Sequence, residues 1–180
     1  YRIGDERIAV AGFTNLTRDH LDYHGTMENY FQAKRRVFTM CKTAVINIDD
    51  EYGKRLVQEF SDIAVTYSAE GNADYHAEFI RMNATGCSYM LVNEREKTAC
   101  RVDMNMTGLY NVQNSLCAIA MVTALGFDMT ECAKALSDLD GVDGRMNVVY
   151  RGDFTVITDY AHTDDALIKV PIRIFRRNHG

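Results

Sequence analysis

Lys34 is the residue of this 180-residue chain that first raises a chemical question. It lies in NYFQAKRRVF, residues 29–38, where Met27, Tyr30, Phe31, Val37, Phe38 and Cys41 recur at intervals of three and four. That spacing predicts an amphipathic helix over about 27–41, started by Thr26, whose hydroxyl can accept a first-turn N–H. At roughly 100° per residue the six apolar side chains span an arc of about 120°. Lys34 falls near the middle of that arc, while Arg35 and Arg36 point elsewhere. Just upstream, TRDHLDYHG (17–25) gathers Asp19, His20, Asp22 and His24 into one polar loop. Burial of a lysine favours its neutral amine. A neutral amine and CO2 combine to a carbamate with loss of one proton, and the carbamate is a two-oxygen anionic ligand suited to Mg2+. The competing reading is a lysine whose methylenes pack while its ammonium reaches water. His20 has the same two readings, metal ligand or loop histidine capping a backbone group.

These side chains need a frame, and the chain supplies a βαβ pattern. RIAVAGFTNL (7–16) reads as a strand running into a loop, TAVINI (43–48) as a buried parallel strand, DDEYGKRLVQEF as a helix and IAVTYS (63–68) as a further strand. HAEFIRM, GCSYMLVN and TACRVDMNM then read as an antiparallel meander. In its third run Cys100, Val102, Met104 and Met106 share one face. A helix over about 111–125 is apolar nearly all round and therefore buried, with Asn111 and Asn114 three apart at its start. A shorter helix (about 130–139), the glycine-flanked turn GVDGR, and two strands, MNVVY and FTVITDY, joined by a tight RGD turn follow. A helix begins at Asp164 and is interrupted by Pro171. The fold class is α/β: a mostly parallel sheet with flanking helices plus an antiparallel meander. The expected division is 1–147 and 148–180.

A hydrophobic fraction of 47%, a charged fraction of 25% and a net charge of −5 describe a globular chain with no bias toward nucleic acid or anionic membranes. No apolar run approaches the roughly 18 residues of a membrane-spanning helix. Five scattered cysteines without a CxxC pair suggest buried thiols in a reducing cytoplasm.

Three motifs in order carry a resemblance: FTNLTRDHLDYHGTMENYFQAKRRVF (13–38), GLYNVQNSLCAIAMVTALGF (108–127), and GVDGRMNVV with TVITDYAHTDDAL (155–167). The chain resembles the Mur ligases, and within them the UDP-N-acetylmuramoyl-tripeptide synthetases. The resemblance implies the later part of a P-loop-type ATP-binding central domain, followed by the start of a Rossmann-like C-terminal domain. It also implies an ATP-dependent amide ligase of peptidoglycan synthesis, in which Mg2+ and ATP convert a carboxylate of a UDP-MurNAc-dipeptide to an acyl-phosphate that a diamino acid attacks. Lys34 would be the carbamoylated lysine and His20 a ligand of a second Mg2+. By the same resemblance Asn111 and Asn114 would reach the adenine, Arg145 the nucleotide phosphates, Asp159 the ribose hydroxyls, and Arg2 the UDP-muramoyl peptide. Without the resemblance, the asparagines read equally as helix caps and Arg145 as a surface ion pair.

Asp143 and Asp164 stand where the family has prolines, and Asn147 where it has a glutamate; none of these is a ligand. No G-x-x-x-x-G-K-[ST] is present, so the phosphate-cradling loop is expected upstream of Tyr1 and the amino-acid-selecting motif downstream of Gly180, which would leave this piece inactive by itself. Related readings are a folylpolyglutamate or cyanophycin synthetase, or a non-catalytic nucleotide-binding module.

Overall fold

The computed structural model describes residues 7–17, 25–83, 86–139, 141 and 147–161. Six strands form one sheet in chain order, with β1 (Ile8–Phe13), β2 (Cys41–Asn47), β3 (Ala64–Ser68) and β4 (Tyr75–Met82) mutually parallel. β5 (Cys87–Asn93) and β6 (Thr98–Met104) continue the same sheet antiparallel. The expected meander is thus an extension of the parallel sheet through β4.

Strand β2 explains the layering. Ala44, Val45, Ile46 and Asn47 are consecutive and buried. Alternate side chains leave a strand on opposite faces, so both faces of β2 must be covered. Val45 packs with Val65, Tyr67, Val112, Leu116 and Ile119 under helix α3 (Leu109–Ala124). Ala44 and Ile46 pack with Phe13, Phe31, Phe38 and Leu56 under α1 (Met27–Arg35) and α2 (Glu51–Glu59). Each fully buried aliphatic side chain contributes about 1.5–3 kcal/mol, so these two cores hold the layers. Helix α4 (Met129–Ser137) packs along β6.

Local chemistry sets the helix starts. Thr26 Oγ1 accepts from Asn29 N at 3.1 Å, as expected, and Asp50 Oδ1 accepts from Tyr52 N and Gly53 N at the start of α2. Helix α3 begins without a side-chain cap at Gly108, whose φ of 104° is open to glycine. The first helix is shorter than its apolar spacing suggests: α1 ends at Arg35, a 3-10 turn covers Arg36–Thr39, and Cys41 opens β2. The 3-10 turn keeps Phe38 buried beside Phe13 while turning the chain toward the sheet. β7 (Asn147–Arg151) and β8 (Thr155–Thr158) form the expected antiparallel pair; the helix start at Asp164 lies outside the described residues.

The joint between β3 and β4 is Asp74. Its Oδ2 accepts from Thr66 N at 2.7 Å and Thr66 Oγ1 at 2.9 Å, and Arg95 Nε lies 3.0 Å from its Oδ1. Burial acts to raise the Asp74 carboxyl, but donation from Arg95 and Thr66 outweighs it and holds the group below its ordinary value. A depressed carboxylate stabilises the fold above its unfolded pKa, and that contribution disappears as pH falls through the folded value. Asp74→Asn is therefore expected to lower the thermal midpoint at pH 7, with the gap to wild type closing below about pH 4 in a pH series of melts. Gly53 makes a second test: an added Cβ there would collide with the backbone oxygen of Asn47. Gly53→Ala is expected to cost about 3 kcal/mol in denaturant unfolding, because backbone must move against backbone.

Candidate functional site

In a parallel sheet covered on both faces, ligands approach the carboxyl ends of the strands. Beyond the end of β1 runs the loop Thr14–Thr17, and Lys34 Nζ donates to the Asn15 carbonyl there at 3.2 Å. The same nitrogen lies 5.2 Å from the centre of the Tyr30 ring. Lys34 is half-buried, between the fully packed Phe31 and Phe38. It therefore combines a packed stem with an amine at the polar end of the sheet. Helix α1 is anchored for this by ion pairs to α2: Arg35 with Glu59, and Arg55 with Glu28 at 3.0 Å, the Arg55 guanidinium stacking 4.2 Å from the Phe31 ring.

The loop is held from β2. Asn47 Nδ2 donates to Thr14 O at 2.8 Å, and Asp50 Oδ2 accepts from Leu16 N at 3.1 Å, so both flanks of Asn15 are tied to the turn Asn47–Asp50. Asp49, in the same turn, accepts from Ser68 Oγ, from Ala69 N at 2.8 Å and from Gln113 Nε2 at 3.1 Å. Tyr67 OH adds a bond to Phe13 O at 3.2 Å. One turn thereby joins the ends of β1 and β3 to the second turn of α3.

At the head of α3, Asn111 is buried and its Nδ2 donates to Thr107 O at 2.8 Å. It thus secures the carbonyl preceding the helix rather than capping a first-turn N–H. Asn114, one turn on, is exposed. Asp159, just past β8, accepts from Ala161 N at 2.7 Å. The five thiols carry no nucleophile: burial pushes Cys41, Cys87, Cys100, Cys117 and Cys132 all up, Cys87 to about 11, so they stay protonated. Among the described residues no helix is long and apolar enough to cross a membrane.

The chain matches the family model of the Mur ligase middle domain over residues 2–122. The chain belongs to the Mur ligase family. Among similar Mur ligases is the UDP-N-acetylmuramoyl-L-alanyl-D-glutamate--2,6-diaminopimelate ligase of Fusobacterium nucleatum, 43% identical over 165 residues, covering 88% of this chain and 33% of that one. The enzyme of the same name from Geobacillus kaustophilus is 40% identical over 182 residues, covering 94% and 37%. A solved structure of such a ligase superposes with a TM-score of 0.76 at 35% identity, over 91% of this chain and 34% of that one. A MurF from Acinetobacter baumannii shares the fold, with a TM-score of 0.79 at 22% identity over 89% and 36%. The chain spans about a third of the length of the curated relatives it matches.

Within this Mur ligase domain, Lys34, Asn111 and Asn114 lie on elements that the Asn47–Asp50 turn ties together. Arg2, His20 and Arg145 lie outside the described residues, as do Asp19, Asp22 and His24. The residues that sequence reasoning passed over are Asn47, Asp49, Asp50 and Gln113. For the turn the signal was present, in polar Asn47, Asp49 and Asp50 at the carboxyl end of an apolar β-branched strand and directly before a helix, whereas Gln113 carried no local signal. The two asparagines are separable by experiment. Asn111→Ala is expected to cost about 1–2 kcal/mol in denaturant unfolding through its lost buried bond, whereas exposed Asn114→Ala changes stability by less than about 0.5 kcal/mol.

Proposed function

We propose that this chain is the middle part of an ATP-dependent amide ligase of peptidoglycan precursor synthesis. The whole enzyme adds a diamino acid, meso-diaminopimelate or L-lysine, to UDP-MurNAc-L-Ala-D-Glu in the cytoplasm. The observation that carries this reading is the Lys34 amine, turned to the carboxyl end of β1 and seated on the loop that leads into the Asp19–His24 stretch. The names of the relatives support UDP-MurNAc-L-Ala-D-Glu and 2,6-diaminopimelate as substrates; L-lysine is the other diamino acid considered. The reaction passes the γ-phosphoryl group of ATP to the substrate carboxylate, giving an acyl-phosphate and ADP. The amine of the diamino acid then attacks the acyl carbon, an amide bond forms, phosphate leaves and a proton is released.

The donor set suits a hard divalent ion only after modification. As an ammonium Lys34 repels a cation; as a carbamate it offers two oxygens, and His20 would add a nitrogen. Among the described residues no group of three or more His, Cys, Asp or Glu gathers. Bound Mg2+ would supply charge neutralisation at the transferring phosphoryl group. Asn111 and Asn114 are assigned to the adenine, Asp159 to the ribose hydroxyls, Arg145 to the phosphates and Arg2 to the UDP-muramoyl peptide. Residues 1–147 would belong to the central domain and 148–180 to the next, whose closure over the nucleotide would exclude water from the acyl-phosphate.

The test is ADP release by the full-length protein given ATP, Mg2+, the UDP-MurNAc-dipeptide and each diamino acid in turn. Lys34→Ala is expected to lower kcat at least about 100-fold with an unchanged melting profile. Undiminished turnover by that variant overturns the proposal.

A further inference from the structure

We propose that the turn Asn47–Asp50 is a positioning device, with the Gln113–Asp49 contact as the strut that sets the nucleotide-side helix against the metal-side loop. The inference rests on the ligase reading above and assigns roles to residues that reading does not use. Three ties run from the turn in different directions. Asn47 Nδ2 and Asp50 Oδ2 hold Thr14 O and Leu16 N, at 2.8 and 3.1 Å, on either side of the Asn15 carbonyl that receives Lys34. Asp49 holds the end of β3 through Ser68 Oγ and Ala69 N. Its Oδ2 also accepts from Gln113 Nε2 at 3.1 Å, across 64 positions of sequence.

Gln113 lies between the two asparagines assigned to the adenine, on the same rigid helix. Any rotation or slide of α3 that moves Asn111 and Asn114 must therefore stretch this bond. The turn is itself stiffened, because Asp49 N donates to Asn47 Oδ1 at 3.0 Å and Asn47 is only 3% exposed. Starting α2 needs Asp50 alone. A half-buried carboxylate at position 49 satisfied by three donors from two other elements is more than that cap requires. Its geometry is that of a fixed post between two sites that must act on opposite ends of one ATP molecule. Gln113 touches neither end in this scheme; it is a positioning residue.

The experiment is steady-state kinetics of the full-length ligase with ATP varied, on three Gln113 variants. Gln113→Lys keeps a donor facing Asp49, Gln113→Met keeps the size and removes the donor, and Gln113→Glu opposes two carboxylates. We expect KM for ATP to stay near wild type for Lys, to rise several-fold for Met and to rise about tenfold or more for Glu, with kcat within about threefold throughout. A residue that merely packs would leave Lys and Met alike, and a merely destabilising change would lower apparent kcat with KM intact. Either pattern overturns the strut. Should the Glu variant fail to fold, the Lys–Met comparison decides alone. Wild-type protein without ATP-dependent ligation would sink the ligase reading itself, whereas active wild type with an unmoved KM in the Met and Glu variants sinks only this inference.

Discussion

The constraint on which this domain depends is that β2 is covered on both faces. Ala44 and Ile46 are sealed under α1 and α2, and Val45 under α3, with all three fully buried. From Ala44 to Ile46 this strand has no polar face on which to carry chemistry. Polar function is therefore displaced to its carboxyl end, where the hydrophobic layers stop and backbone groups of loops and helix starts lack partners. The turn Asn47–Asp50 occupies that end and spends its polar side chains on those groups: Thr14 O, Leu16 N, Ala69 N and the first N–H groups of α2.

The same constraint explains why Lys34 has a dual character. Phe31 and Phe38 on either side of it must pack against the sheet, which draws its stem inward. The loop after β1, fixed by Asn47 and Asp50, presents the Asn15 carbonyl at the edge of that packed region, and the amine ends there. An inward-facing lysine and a snorkelling lysine, posed as alternatives from sequence, are in this respect two descriptions of one side chain.

Much of the frame was legible from local pattern. The β-branched apolar run at 43–48 foretold β2, because burial on both faces acts within a few residues, and DDEYGKRLVQEF foretold α2, though not the Asp50 cap that starts it. The alternation of Cys100, Val102 and Met104 likewise told which face of β6 is inward. The end of α1 was not legible. Val37, Phe38 and Cys41 keep helical spacing, yet the chain leaves the α-helix after Arg35 because β2 must begin at Cys41 to pair with Ile8. A strand register over thirty residues away outweighs a few tenths of a kcal/mol of helix propensity.

For the site, sequence by itself determined the residue types and their order: a lysine in an apolar arc, a polar loop before it, two asparagines at a helix start, an aspartate after a late strand. These are properties of neighbours along the chain. Only the tertiary structure decided that Asn111 secures a backbone carbonyl while Asn114 faces outward, and that Asp49 reaches Gln113. Contacts between residues far apart in sequence follow from how layers pack around β2, and no local spacing encodes them.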